Sequence, residues 1–223
     1  MKRIFLLLAI AMLALFSVAC ANDTTSNTTK QAPQIAAKTT YTNSLAGKKI
    51  LVAYFSATNN TKKVAEELAK ATGADIYRIE AAQSYSANPY DDTDRIQKEA
   101  YENLRPEVKA PLPASEMAKY DVIFVGSPIW WHQPAMVVCT FLKSYDLSGK
   151  TVVPFFTYGA RSYLNESMQR IYKSTPNSVH VPASLPKDIE PDNIQQSQND
   201  DDGIIMPADV GNIDAWLKVL QLK

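Results

Sequence analysis

Ile50-Leu51-Val52-Ala53-Tyr54-Phe55-Ser56-Ala57-Thr58-Asn59-Asn60-Thr61 decides the fold: an apolar run ends abruptly in small hydroxyl and amide side chains. Ile50 to Phe55 has the near-continuous apolar character of a strand buried on both faces, as in parallel sheets. Behind it, Thr61 to Ala71 places Val64, Ala65, Leu68 and Ala69 on one side. Lys62, Lys63, Glu66, Glu67 and Lys70 lie elsewhere, giving an amphipathic helix that Gly73 closes. Strand, tight loop and helix form the first half of a βαβ unit, and Asp75 to Glu80 reads as a second strand.

Downstream, a long insertion from Ala81 to Lys119 carries Tyr85, Tyr90, a helix over Thr93 to Leu104, and then Pro106, Pro111 and Pro113. Asp91, Asp92 and Asp94 read as helix-start caps rather than metal ligands, because acidic groups satisfy free N–H groups there and suit the dipole. Asp121 to Gly126 is a third strand, ending in a loop from Ser127 to Pro134 whose path Pro128 and Pro134 fix. A helix from Ala135 to about Tyr145 follows. Thr151 to Gly159 is a fourth strand, although Pro154 argues against a central position because it cannot donate to a ladder. A helix over Arg161–Lys173, a strand over Val179–Ser184 and an acidic, solvated loop over Gln195–Gly203 come next. The last helix, Ala208–Leu220, turns Val210, Ile213, Leu217 and Leu220 inward. This alternation predicts an α/β domain, an open five-stranded parallel sheet with helices on both faces. Ligands of such sheets bind outside the carboxyl ends of the strands, the edge that receives the loops after the first, third and fourth strands.

Ahead of the domain, Lys2 and Arg3 precede an uncharged run from Ile4 to Ala19, short for a bilayer span of about 20 residues and laid out as an export signal. Phe16-Ser17-Val18-Ala19-Cys20 resembles a bacterial lipobox, in which Cys20 is lipidated and becomes the mature N-terminus; Ala19-Cys20-Ala21 also fits an ordinary signal-peptidase site. Residues 20–44 are rich in Thr, Asn, Ser, Gln and Ala and bury too little surface to fold, so they read as a flexible tether, roughly 25 to 30 Å end to end. Residues 45–223 then form one domain. The whole chain balances 23 basic against 23 acidic residues. Losing Lys2 and Arg3 leaves 21 against 23, which points to no nucleic-acid partner. With Cys20 lipidated, Cys139 stands alone in an apolar helical pattern, as a small buried residue rather than a reactive thiol.

Ser56, Thr58 and Thr61 place hydroxyls around a helix N-terminus, where unpaired N–H groups and the dipole favour an anion. The same residues also serve a plain helix cap. A nucleoside triphosphate is excluded, since the P-loop Gly-Lys-Ser/Thr is absent. Trp130 and Trp131 put adjacent indoles at a strand end, suited to a flat ligand or to roofing the core; aromatic pairing adds about 0.5 to 1.5 kcal/mol beyond buried area. Tyr158 offers an opposite wall, and Gly159 lets backbone approach closely. Hydrolysis has little support: Ser127 sits in no Gly-x-Ser-x-Gly elbow, and neither His132 nor His180 has an evident acid partner.

Three motifs in order carry a family resemblance: Phe55-Ser56-Ala57-Thr58-Asn59-Asn60-Thr61-Lys62, Gly126-Ser127-Pro128-Ile129-Trp130-Trp131-His132 and Pro154-Phe155-Phe156-Thr157-Tyr158-Gly159. They resemble flavodoxin-like proteins, in particular short or exported bacterial flavodoxin relatives, over Lys49 to Leu222. The resemblance implies strand order 2-1-3-4-5 and noncovalent flavin mononucleotide (FMN). It implies a phosphate held by Ser56, Thr58, Asn59, Asn60 and Thr61, and a ring system beside Pro128, Ile129, Trp130, Trp131, His132, Thr157, Tyr158 and Gly159. Asn59 and His132 stand where the family has glycine.

The resulting expectation is an FMN-binding redox protein, an electron carrier or an FMN-dependent oxidoreductase, at the outer face of the membrane and anchored only through lipid on Cys20. Its electrons would come from a membrane donor or a redox partner protein, because no second nucleotide fingerprint is present. The alternatives are a non-redox ligand-binding lipoprotein with a modified flavin site and an NAD(P)H-dependent flavin oxidoreductase.

Overall fold

The computed structural model describes residues 44–158, 163–183, 204–205 and 213–223. The export signal, Cys20, the tether, Gly159, the Gln195–Gly203 loop and Val210 lie outside the described residues. The strands are β1 (Ile50–Tyr54), β2 (Asp75–Arg78), β3 (Val122–Trp130), β4 (Gln133–Pro134), β5 (Thr151–Thr157), β6 (Val179–His180) and β7 (Ile204–Ile205). The helices are α1 (Asn60–Thr72), α2 (Thr93–Tyr101), α3 (Ala114–Met117), α4 (Met136–Lys143), α5 (Leu164–Ser174) and α6 (Ile213–Val219).

The parallel sheet runs β2-β1-β3-β5-β6, which is the 2-1-3-4-5 order expected of its five main strands. Two short antiparallel pieces are added, β4 on β3 and β7 on β5. Side-chain alternation splits the core between the two faces. Leu51, Ala53, Ile123, Val125, Val152 and Phe156 face one layer with α4 and α5 residues such as Val138, Phe141, Met168 and Ile171. Ile50, Val52, Phe124, Val153 and Phe155 face the other, against Val64 and Leu68 of α1 and Trp216 and Leu217 of α6. Cys139 is fully buried, as expected, and burial pushes its thiol pKa up.

The fourth strand's proline is explained by register. β6 pairs only with Thr151 and Val152 of β5, and β7 only with Phe156 and Thr157. Among the described residues Pro154 falls between these two pairings and is matched only with Val125 of β3, so its missing N–H interrupts neither of them.

Three expectations are corrected. The third strand does not stop at Gly126: Ser127 and Pro128 continue the pairing, opposite Phe156 and Thr157 of β5. The supposed loop Ser127–Pro134 is therefore a strand end plus a hairpin, with Trp131 and His132 alone in the turn. Helix α2 ends at Tyr101, not Leu104, with Asn103 in left-handed conformation just beyond it. Asp92 makes no side-chain cap on α2; its carboxylate accepts the Ser86 N–H at 2.5 Å across the insertion. Asn88 caps the short 3-10 turn Pro89–Asp92 instead, at 3.3 Å from the Tyr90 N–H. No metal-binding cluster occurs among the described residues.

On β6, His180 stacks on Tyr172 at 4.0 Å, and its Nε2 lies 3.0 Å from the Thr175 carbonyl. Burial holds its pKa below the ordinary 6.5, partly offset by that carbonyl. The unfolded chain takes up the proton first as pH falls, so His180 stabilises the fold above the unfolded value, and this is lost as pH drops through the folded one. Thermal denaturation should show Tm falling between pH 7 and pH 5, with a shallower fall in His180→Gln; equal slopes would refute the assignment.

Candidate functional site

The loop after β1 reaches α1 through Asn59, whose φ of 67° and ψ of 1° are left-handed. Asparagine tolerates that region better than most residues, so the residue that stands for the family's glycine keeps the turn. Asn59 makes no side-chain cap, and no acidic residue occupies the first turn of α1, where Lys62 and Lys63 sit instead. The helix thus opens without a side-chain cap from Asn59 and without an acid in its first turn, which leaves its N-terminal N–H groups and dipole to favour an anion.

The three hydroxyls of the loop are not equivalent. Thr61 is buried and its Oγ1 lies 2.8 Å from the Thr157 Oγ1, which ties the first turn of α1 to the end of β5. Ser56 is also buried, and its hydroxyl has no hydrogen-bond partner among the described residues. Its carbonyl is held by Arg78 at 3.1 Å. Thr58, Asn59 and Asn60 face solvent. A buried hydroxyl without a partner costs about 1–3 kcal/mol, and here it sits behind an anion-favouring helix end.

The two indoles take different places. Trp130 packs inward, edge-to-face against Phe55 and Tyr85 with centroids 5.3 Å and 5.2 Å away. Trp131 is 37% exposed in the turn, 6.3 Å from Tyr101 of α2. Pro128 and Ile129 are half-buried along the end of β3, and Tyr158 is packed against the core at the end of β5. The β1, β3 and β5 ends therefore bring the described members of the expected site, Gly159 excepted, to one edge of the sheet.

The hairpin tip is a two-residue turn with φ positive at both Trp131 (47°) and His132 (65°), the geometry that matches strand twist but favours glycine and asparagine. Each such residue costs about 1–2 kcal/mol. Neighbours offset this: the His132 ring stacks on Tyr163 at 3.6 Å and 13°, and Ser167 donates to the His132 carbonyl at 3.4 Å. Arg170 of α5 donates to Gln133 at 2.7 Å and to Asn103 at 2.6 Å. These supports were not visible in the sequence, since no local pattern links residues 103, 133, 163 and 170.

The profile of the family described as Flavodoxin matches residues 49–197. Two solved structures named as flavoproteins share about a third of their residues with the chain. One, from Bacteroides eggerthii, is 32% identical, covers 79% of this chain and 99% of its own, and has a TM-score of 0.56. Another, from Bacteroides uniformis, is 31% identical over 65% of this chain and 96% of its own, with a TM-score of 0.53. A flavoprotein from Lactobacillus acidophilus solved in complex with FMN shares the fold at 24% identity and a TM-score of 0.50, over 60% of this chain and 89% of its own. No curated protein matches. With sheet order, motif positions and family profile in agreement, the chain is a member of the flavodoxin family.

Proposed function

We propose that this protein binds FMN noncovalently and transfers electrons, as a carrier or as an FMN-dependent oxidoreductase. The observation that carries this is the buried Ser56 hydroxyl, without a hydrogen-bond partner among the described residues, in the loop that leads into the N-terminus of α1, which no side chain of its N-cap residue caps. A terminal phosphate supplies the acceptor that Ser56 lacks and the negative charge that the helix end favours. The residues present fit the group. Ser56, Thr58, Asn59, Asn60 and the opening N–H groups of α1 would hold the phosphate, with Thr61 fixing the helix end through Thr157. Pro128, Ile129, Trp130, Trp131, His132, Thr157, Tyr158 and Gly159 would flank the ring system.

When bound, the flavin supplies the redox chemistry, and the protein contributes position and electrostatics. The chain's own residues exclude water with aromatic walls and present backbone amides at the strand ends. We further propose that the domain works at the outer face of the membrane, lipidated on Cys20 and supplied with electrons by a membrane donor or a partner protein; the N-terminal sequence is the support for this. Without a fingerprint for a nicotinamide nucleotide, a carrier is favoured over a reductase, and a protein that binds FMN but does not oxidise NAD(P)H fits a carrier.

Ser56→Ala separates the phosphate reading from a plain helix cap. It removes a buried hydroxyl that bonds to none of the described residues, so the ligand-free protein should be as stable as wild type or more stable by about 1 kcal/mol. A hydrogen bond to a charged group contributes about 1.5–3 kcal/mol, so FMN affinity should fall about tenfold or more. Titration of ligand-free protein with FMN, followed by flavin fluorescence quenching, reads the second effect. Wild-type protein that takes up no FMN would sink the proposal.

A further inference from the structure

The insertion between β2 and α3 holds a buried charge pair that the FMN reading does not use. Glu99, in the last turn of α2, is only 7% exposed. One of its oxygens accepts from Arg95 Nε at 2.8 Å and the other from the Tyr85 hydroxyl at 2.6 Å. The remaining guanidinium nitrogens of Arg95 donate to the Ser84 and Gln83 carbonyls at 3.1 and 2.9 Å, and the guanidinium lies 4.0 Å over the face of the Tyr85 ring. Tyr85 is thus fixed at its hydroxyl by an anion and on its face by a cation. Its ring meets those of Phe55 and Trp130 in T-shaped contacts with centroids 5.3 and 5.2 Å away, and Phe55 meets Trp130 in another at 5.3 Å.

A buried ion pair rarely stabilises a fold more than apolar side chains of the same volume would, but it does fix geometry. Here the geometry fixed is that of Trp130. The indole belongs to the end of β3, Phe55 follows β1, and Tyr85 comes from the insertion, so the clamp joins three separate chain segments at the ligand edge of the sheet. We propose that Tyr85 is a positioning residue of the flavin site, and that Arg95 and Glu99 hold its ring so that Trp130 keeps its place in the wall. This rests on the FMN reading above and assigns the insertion a role in that site. Phe55 and Tyr85 both pack against the Trp130 ring, so loosening Tyr85 frees the indole to leave the wall before it loosens any strand.

Three variants of the full domain test this: Tyr85→Leu, Tyr85→Phe, and the double change Arg95→Met with Glu99→Leu, which replaces the charge pair by apolar side chains of similar volume. Each is read in FMN affinity, in the midpoint potential of the bound flavin, in Tm, and in acrylamide quenching of tryptophan fluorescence in the ligand-free protein. Tyr85→Leu should weaken FMN at least tenfold, shift the potential, and raise quenching. The double variant should weaken FMN about fivefold and raise quenching while Tm stays at or above the wild-type value. Tyr85→Phe keeps the ring under Arg95 and should stay within about threefold of wild type. Wild-type affinity, potential and quenching in Tyr85→Leu and the double variant, or a change confined to Tm, would overturn the proposal and leave the FMN reading standing. Failure of the wild-type protein itself to bind FMN would overturn both.

Discussion

Gly126→Ala is expected to cost about 3 kcal/mol or more, the upper end of what overpacking a core produces. Gly126 lies in β3 between Tyr54 of β1 and Phe155 of β5, at the centre of the sheet. A Cβ added there would sit 2.3 Å from Phe155 Cζ, 2.5 Å from Cε2 and 2.9 Å from Cε1. Phe155 has no exposed surface and packs in the layer with Trp216 and α1, so its ring has nowhere to go. Gly126 therefore serves packing: its missing side chain is the space the Phe155 ring fills. Urea denaturation measures the loss. The companion change Phe155→Leu should restore part of it, with a coupling of about 1–3 kcal/mol between the two sites, since they touch. Additive losses would show that the methyl group is accommodated elsewhere. Because Gly126 opens the strand end that carries Pro128 to Trp130, a folded Gly126→Ala protein should also bind FMN more weakly.

Trp216→Ala should lower stability by about 3–5 kcal/mol, the range for emptying a large aromatic site. Trp216 heads the fully buried side chains by size and meets Phe124 of β3 at a centroid distance of 6.0 Å. It joins α6 to the same face of the sheet as α1, so its loss should loosen the C-terminal helix from that layer. Its indole N–H has no hydrogen-bond partner among the described residues. Trp216→Phe removes that unsatisfied donor while keeping an aromatic ring, and should cost less than half as much as the alanine change. Calorimetric unfolding of the two variants compares them directly. A Trp216→Ala protein as stable as wild type would mean that α6 contributes little to the core.

The residues that could be read from sequence were those whose burial has a short period. Val64, Ala65 and Leu68 repeat with the turn of α1 and are buried as expected, and Gly73 closes the helix in left-handed conformation. The edge of the sheet that carries the candidate residues was legible too: the motifs follow three parallel strands, which must all end on the same side, and the described candidate residues lie there. Other members of the core and site had no such signal. Trp216 escaped notice beside Ile213, Leu217 and Leu220, since a helical pattern gives a face but not which residue on it goes deepest. Tyr85 looked like one aromatic in a long insertion; its contacts with Phe55 and Trp130 join positions 30 and 45 residues away along the chain.

The sequence by itself determined the α/β alternation, the sheet edge that carries the candidate site and the hydroxyl-rich loop from Ser56 to Thr61, because local composition and periodicity carry that information. Only the tertiary structure decided how far β3 runs, why Pro154 is tolerated and which hydroxyls of that loop remain available. Ser127 and Pro128 become strand because β5 lies opposite them, and Pro154 is tolerated because the described pairings of β6 and β7 with β5 fall on either side of it. Thr61 is committed to Thr157, while the Ser56 hydroxyl has no partner among the described residues. Each of these is a choice of partner across the sheet, and hydrogen-bond partners distant in sequence leave no trace in the period of a single segment.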